Sequence, residues 1–377
     1  MKNGKLQIAT VFSGIGAFEQ SLNKLHIPYD IVFACDNGER EIKEEYEDIM
    51  KYSDEHKFDD VELNNYVKEL YKETNKENHM KTSYFANYDV SEDRWYEDIR
   101  FINGKKFDGQ VDIFVGGSPC QSFSNMGRRK GLEDARGTLF YNYAKLISDM
   151  RPRVFIYENV PGMLNHDGGD TWKRIKKIFN DLDYVISDKV LNGKDFGIPQ
   201  NRNRLFVVGF RKPFDRKFEF PKNIELKTTL FNYLETKPEA RHYLGKKGFE
   251  FVTNPKYKGR AVINNEIIRT QKANQQFNWN GDFVFEDFDK VKDRQDVLDR
   301  AYVGTWNGKK GVVRQLTYRE CYRLMGFDDS YDYTKVNNMW RYRQAGNSII
   351  VNVLEAIIKE ILKVEDFNEY DTISNSI

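Results

Sequence analysis

The sequence predicts an α/β chain, doubly wound about a mostly parallel sheet over roughly the first 210 of its 377 residues, with a smaller irregular region behind it. Three observations predict this. Near-continuous apolar runs recur through the first part, as expected of strands buried on both faces. Amphipathic stretches of helical length lie between several of them. The polar residues of greatest chemical interest directly follow the runs, where open α/β sheets bind their ligands.

Taken in order, "QIATVF" (7–12) is the first strand, and "TVFSGIGAFEQSL" (10–22) continues it through a glycine turn into a helix start. Gly14 and Gly16 let the backbone approach a ligand closely, and Phe12 offers an aromatic face. The pattern FxGxG is not the GxGxxG dinucleotide fingerprint, so a nicotinamide cofactor is not implied. "DIVFACD" (30–36) ends about twenty residues on with Asp36, an acid placed to bind ribose hydroxyls. Together the two segments point to a nucleoside cofactor. The polar stretch 48–84 has no β pattern and reads as a helical insertion or a mobile loop. "VDIFVGG" (111–117) is the next strand, followed by a helix at "TLFYNYAKLISDM" (138–150) and a strand at "RVFIYENV" (153–160). A helix at "TWKRIKKIFNDL" (171–182) precedes two further strands, "YVISDKVL" and "RLFVVGF". Alternation stops near 212. The stretch to 312 mixes aromatics, lysines, asparagines and prolines without a period, and "NSIIVNVLEAIIKEIL" (347–362) then reads as an amphipathic helix capped by Asn347 or Ser348.

Composition narrows the class. No apolar run nears the ~20 residues that span a bilayer, and the glycine-rich start is no signal peptide. Three scattered cysteines without a CxxC argue against a disulfide framework or a zinc site, so a reduced, cytoplasmic protein without a metal is expected. The formal net charge of +1 hides an asymmetry. Residues 39–98 carry 9 basic and 19 acidic side chains, whereas 211–310 carry 21 and 14. Within 237–272 the count is 9 basic to 3 acidic, interleaved with Tyr243, Phe249, Phe251 and Tyr257, as on a phosphate-binding surface.

The strongest chemical signal is "GGSPCQSFS" (116–124), which sets Cys120 at the end of a strand. An ordinary thiol, with a pKa near ~8.5, is mostly protonated at neutral pH. Arg128, Arg129, Arg202 and Arg204 are candidates to favour its anion if they converge. Cys35 and Cys321 read as small core residues. Glu158 ends the next strand, where a carboxylate in a cleft can be tuned for acid work. "FGIPQNRNRLFVVGF" places Arg202 and Arg204 on one face if extended.

The chain resembles the C5-cytosine DNA methyltransferases of the bacterial restriction–modification type. The matching segments are "FSGIGAF", "ACDNGE", "GGSPCQSFS", "EDARGTLF", "YENVPGML", "FGIPQNRNR", "RQLTYRECYRLMGF" and "QAGNSIIVNVLEAI", in the family's order over 8–211 and 313–363. The resemblance implies a Rossmann-like S-adenosylmethionine-dependent catalytic domain (1–212 and 341–377), a target-recognition domain (213–312) and a return segment (313–340). It implies Cys120 as the nucleophile on C6 of cytosine and Glu158 as the group at N3 and N4. Arg204 would lie at O2, with Arg202 in support, Pro119 and the Ser118 carbonyl shaping the pocket wall, and Gln121 counted among the catalytic-site residues. It places S-adenosylmethionine, which leaves as S-adenosylhomocysteine, across Phe12, Ser13, Gly14, Ile15, Gly16, Asp36, Asp89, Leu139, Asn347 and Ser348. Double-stranded DNA with a flipped cytosine is the implied substrate. A monomer, a cognate endonuclease and a bacterial or phage source are implied as well.

Three features depart from the family's pattern. Asn37 stands where many relatives have an adenine-stacking aromatic, leaving Ile42 or Phe12 to cover the ring. Met126 occupies a loop position that is often small and polar. The insertion at 48–84 has no role in the pattern. Two other functions compete. A tRNA cytosine methyltransferase on the same fold would carry a Cys-Phe-Thr signature, absent here; a catalytically dead DNA-binding module would lack Cys120, Glu158 or Arg204, all of which are present.

Overall fold

The computed structural model describes residues 2–118, 139–274 and 279–367. The chain divides into two compact units, one of Met1–Leu191, Asn203–Pro221 and Leu354–Ile377, the other of Asn192–Arg202 and Lys222–Val353.

The strands of the first unit are β1 (Leu6–Val11), β2 (Tyr29–Cys35), β3 (Trp95–Tyr96), β4 (Ile113–Gly116), β5 (Val154–Asn159) and β6 (Tyr184–Asn192). After the two-residue β7 (Gln200–Asn201), which belongs to the second unit, comes β8 (Asn203–Arg211). The seven-stranded sheet of the first unit runs β3-β2-β1-β4-β5-β8-β6. From β3 through β2, β1 and β4 to β5 each strand pairs parallel with the next, and the chain order switches between β1 and β4. Register aligns their carboxyl ends: Val11 pairs with Cys35 and with Gly116, and Gly116 pairs with Tyr157. Phe12, Asp36, Gly117 and Glu158 therefore leave the sheet along one edge. Strand β8 departs from the parallel expectation. It pairs antiparallel with β5, with Asn159 opposite Leu205, so its amino end delivers Arg204 to the same edge.

The helices follow from their apolar faces. Helix α1 (Ala17–Lys24) succeeds β1, and α2 (Tyr46–His56), α3 (Asp60–Glu73) and α4 (His79–Asn87) make up the charged insertion. A capping box of Asp59 and Glu62 starts α3. Ile49, Val67, Leu70 and Tyr71 bury a small cluster on Phe101, with Ile42 packed at its margin. Helix α5 (Leu139–Met150) buries Phe140, Tyr143, Ala144 and Ile147, and α6 (Asp170–Asp181) buries Ile175, Ile178 and Phe179. Both faces meet Phe114, Phe155 and Tyr157 of the sheet in one core. The Phe114 and Tyr143 rings stack at 4.8 Å.

The region without a legible period contains strands β9 (Ala261–Ile263), β10 (Ile268–Arg269), β11 (Gly281–Asp287), β12 (Gly304–Trp306) and β13 (Lys309–Gln315). They form a four-stranded sheet, β12-β13-β11-β9, and a β10–β7 pair. Helices α7 (Lys246–Thr253), α8 (Phe288–Val291), α9 (Gln295–Leu298), α10 (Tyr318–Arg323) and α11 (Asn338–Asn347) follow in turn, and α12 (Val351–Val364) crosses the partition at residue 353. The expected helix at 347–362 is thus later and interrupted. Asn347 ends α11 and Ser348 is extended (ψ 164°), so neither caps α12.

Candidate active site

Behind β1 the chain turns sharply. Phe12 (φ 54°), Gly14 (φ 55°) and Gly16 (φ 74°) all take the left-handed conformation. For a phenylalanine this costs about 1–3 kcal/mol, strain of the kind that clusters at ligand sites. At Gly14 a Cβ would meet nothing closer than the Phe12 carbonyl at 4.0 Å, so the turn presents bare backbone. The Asp36 carboxylate is bridged across the loop, accepting from the Gly14 N–H and the Gly38 N–H at 2.8 Å each. Burial pushes its pKa up to about 6, against the pull of those two N–H groups. Glycine backbone, a partly buried Phe12 ring on the core and a two-oxygen acid make a cradle that fits a nucleoside with a ribose diol. Ser13 Oγ donates to the Cys35 carbonyl and accepts from its N–H, joining the β1 turn to the end of β2. Ile15 is buried below the turn, Leu139 opens α5 on the margin of the core, and Asp89 is exposed just after α4.

Asn37 is spent on its own turn, its side-chain oxygen accepting from the Glu39 N–H and its amide donating to the Arg40 carbonyl. Ile42 packs on the insertion's cluster and Phe12 on the main core, so of these two expected ring covers only Phe12 lies in the turn itself.

At the end of β5, Glu158 Oε1 receives Arg204 Nε at 2.9 Å, with both side chains largely buried. Gly117 stands directly against this carboxylate: a Cβ there would lie 2.7 Å from the Glu158 carbonyl and 2.9 Å from Oε2. Only glycine lets β4 pass that close. The next residue, Ser118, is doubly held. Asn159 Nδ2 donates to its carbonyl at 2.9 Å, and its hydroxyl lies 2.8 Å from the Tyr157 hydroxyl. Pro119, Cys120 and Gln121, and with them Met126, Arg128 and Arg129, lie outside the described residues. The other two cysteines, Cys35 and Cys321, are buried, and burial pushes both thiols well up.

Arg202 sits in the second unit, 3% exposed, with its guanidinium on main-chain carbonyls. It donates to Gln271 O at 2.8 Å, Gly346 O at 3.0 Å and Ser348 O at 2.7 Å. Its geometry is that of a residue that holds the Gly346–Ser348 turn, where Asn347 is presented to solvent. Gly346 is itself required there, because a Cβ would meet the Lys272–Ala273 backbone at 2.4 Å.

Sequence reasoning missed Tyr157 and Asn159 as functional supports. The polar pair inside an apolar strand end was the available signal. It also missed Gly117 as a contact of Glu158, which no local pattern reveals.

A parallel-rich sheet with a glycine turn, an acid bridged by main-chain N–H groups and a Glu–Arg pair along one edge defines an α/β fold with its candidate site at the carboxyl ends of the strands. Comparison with known proteins narrows it. The family profile described as C-5 cytosine-specific DNA methylase matches residues 62–363. The chain is 33% identical to the type II methyltransferase M.HhaI of Haemophilus parahaemolyticus, over 72% of this chain and 82% of that one. It is 28% identical to the orphan methyltransferase M.SPRI of Bacillus phage SPR, over 95% and 98%. Among solved structures, the S. pombe Dnmt2 methyltransferase superposes with a TM-score of 0.65 at 19% identity, covering 95% and 99% of the two chains. The chain belongs to the C-5 cytosine-specific DNA methylase family and is a DNA (cytosine-5)-methyltransferase. Among the described residues, no helix is long and apolar enough to cross a membrane, and no three His, Cys, Asp or Glu side chains are grouped to hold a metal.

Proposed function

We propose that this chain methylates a cytosine flipped out of duplex DNA, with Cys120 as nucleophile and S-adenosylmethionine as donor. The observation that carries the reading is the Glu158–Arg204 pair at 2.9 Å, standing against Gly117 two residues before the Pro119-Cys120 step. Asn159 and Tyr157 fix Ser118, the residue before that step.

The cysteine thiolate adds to C6 of the base, which turns C5 into a carbon nucleophile in an otherwise unreactive ring. Glu158 hydrogen-bonds N3 and N4, drawing electron density as the bond to sulfur forms, and Arg204 orients that carboxylate while facing O2. The nucleoside half of S-adenosylmethionine would be held by Phe12, Ser13, Gly14, Ile15, Gly16 and Asp36, with Asp89, Leu139, Asn347 and Ser348 around it. When bound, S-adenosylmethionine supplies an electrophilic methyl group. Loss of the C5 proton and departure of Cys120 restore the aromatic ring. Because C6 is out of reach inside a duplex, the base must leave the stack.

Residues 213–312 would supply the recognition domain. The excess of basic side chains across 211–310, 21 to 14, suits phosphate contacts that give affinity and register, with base edges read separately. The names of relatives as type II methyltransferases suit a role in protecting a site from a cognate endonuclease, and a monomer is the form proposed for this chain.

A duplex carrying 5-fluorocytosine at the target tests the mechanism, because fluorine cannot leave as a cation and the adduct stalls. The expected product is a 1:1 protein–DNA adduct, stable to detergent, on the Cys120 peptide. A detergent-stable adduct on another residue, or from Cys120→Ala, contradicts it.

A further inference from the structure

Helix α4, at the end of the charged insertion, is tied to the nucleoside cradle directly from both of its ends and indirectly through Glu19 of α1. Asn78 is 6% exposed and caps α4, its oxygen accepting from the Lys81 N–H at 3.0 Å. Its amide donates to the Asp36 carbonyl at 2.8 Å and to Glu97 Oε2 at 2.7 Å. Tyr84, fully buried, donates to Glu19 Oε1 at 2.6 Å. The same oxygen receives the Thr10 hydroxyl at 3.1 Å, and Thr10 in turn lies 2.8 Å from the Ser13 hydroxyl. Tyr88, just past the helix end, donates to the Gly16 carbonyl at 2.6 Å. Its ring fills the space a Gly16 Cβ would take, at 2.1 Å. The Tyr84 and Tyr88 rings lie against each other, centroids 4.9 Å apart. From the other side Arg40, 5% exposed, donates to the Asn37 carbonyl at 2.9 Å and to Lys76 O at 3.2 Å, and pairs with Glu97.

We propose that α4 is a strut for cofactor binding, with Asn78 and Tyr88 as positioning residues that hold the Asp36 loop and the Phe12–Gly16 turn in their binding geometry. The inference rests on the reading that this cradle takes the nucleoside of S-adenosylmethionine. Neither residue need touch the ligand. Asn78 fixes the main chain of the acid, Tyr88 fixes the last carbonyl of the glycine turn, and Tyr84 ties the helix between them through Glu19. The turn contains a left-handed phenylalanine, so it is a conformation that the surroundings must impose. Loss of an external tie lets it relax before the ligand arrives, and binding must then re-impose it.

The test uses the full chain and two mild substitutions. Tyr88→Phe keeps the ring against Gly16 and removes the hydroxyl. Asn78→Ser keeps a helix-capping oxygen and removes the amide donor. Binding of S-adenosylhomocysteine is measured by calorimetry, beside steady-state kinetics and thermal melting. One lost tie, at the usual net worth of a hydrogen bond, should weaken S-adenosylhomocysteine about threefold to tenfold. The cofactor KM should rise by the same factor, with kcat and the KM for DNA unchanged within about twofold. A purely structural role would instead lower the melting temperature and the active fraction and leave the dissociation constant of the folded fraction alone, which overturns the proposal. Should Asn78→Ser fail to fold, Tyr88→Phe decides alone. Asp36→Ala separates the two levels. If it abolishes binding while both strut variants bind as tightly as the parent, the strut is wrong and the cradle stands. If Asp36→Ala still binds as tightly as the parent, the reading of the cradle fails and the strut with it.

Discussion

Replacing Glu320 with alanine should destabilise the protein more than almost any other single change, and the structure says by how much. Glu320 on α10 is fully buried, as is Arg314 on β13. Its two oxygens accept from Arg314 Nη1 at 2.9 Å and Nη2 at 3.0 Å, from the Thr317 N–H at 2.8 Å and from the Glu235 N–H at 2.8 Å. Alanine leaves a buried guanidinium with Glu286 (2.6 Å) as its carboxylate partner and the Gln315 carbonyl (3.1 Å) beside it, and strips two main-chain donors of their acceptor. Breaking a buried pair from one side costs about 3–5 kcal/mol. The surviving Glu286 contact argues for the lower half of that range, about 3–4 kcal/mol, or roughly 5 °C in the Tm of a 377-residue chain. The damage should also reach the Gly346–Ser348 turn that Arg202 holds. Helix α10 and its end supply the Leu324 carbonyl to Gln200 and the Cys321 carbonyl to Gln271, and Arg202 hangs from the same strand and from Gln271. Urea unfolding of parent, Glu320→Ala, Arg314→Met and the double variant gives the coupling. In the double variant, the arginine change should add less than about 1 kcal/mol to the alanine change, since the buried guanidinium is gone and Glu286, which loses it, still accepts from the Tyr243 hydroxyl. A loss below about 1 kcal/mol for Glu320→Ala would refute the reasoning.

Three further outcomes follow from the site. S-adenosylhomocysteine affinity should be flat above about pH 6 and fall as the pH drops below it, toward tenfold per unit, because Asp36 titrates near 6 and only its ionised form accepts both ribose hydroxyls; calorimetry from pH 5 to 8 checks this, and a flat profile contradicts it. Arg204→Met should lower kcat by roughly 10- to 100-fold with little change in cofactor affinity, since a hydrogen bond to a charged group is worth about 1.5–3 kcal/mol and this one orients Glu158. Asn159→Ala should lower kcat by about tenfold or more by freeing the Ser118 carbonyl and leaving it unpaired in a buried position, an effect single-turnover methylation would isolate from product release.

Much of the first unit was legible because both-face burial writes itself into the chain. Strands expected at 7–12, 30–36 and 153–160 lie at 6–11, 29–35 and 154–159. The direction of β8 was not legible, since an apolar run reads the same parallel or antiparallel, yet that direction is what brings Arg204 to Glu158. The break between α11 and α12 was hidden for a different reason. "NSIIVNV" has helical periodicity, but the Arg202 guanidinium holds the Gly346 and Ser348 carbonyls, a contact across 144 residues and more. The second unit's four-stranded sheet was missed because β9 and β12 run only three residues each, and β11 and β13, at seven, begin or end in charged residues that break the apolar run. The insertion's helices were half expected from composition. Their contacts were not, because Tyr84 and Tyr88 find their partners at Glu19 and Gly16 through space.

The most direct test of the central claim is transfer of labelled methyl from S-adenosylmethionine to duplex DNA and, in parallel, to tRNA, by the parent chain and by Cys120→Ala. The account predicts label in DNA with the parent and none with Cys120→Ala. Label in tRNA alone, or undiminished transfer to DNA by Cys120→Ala, would contradict it.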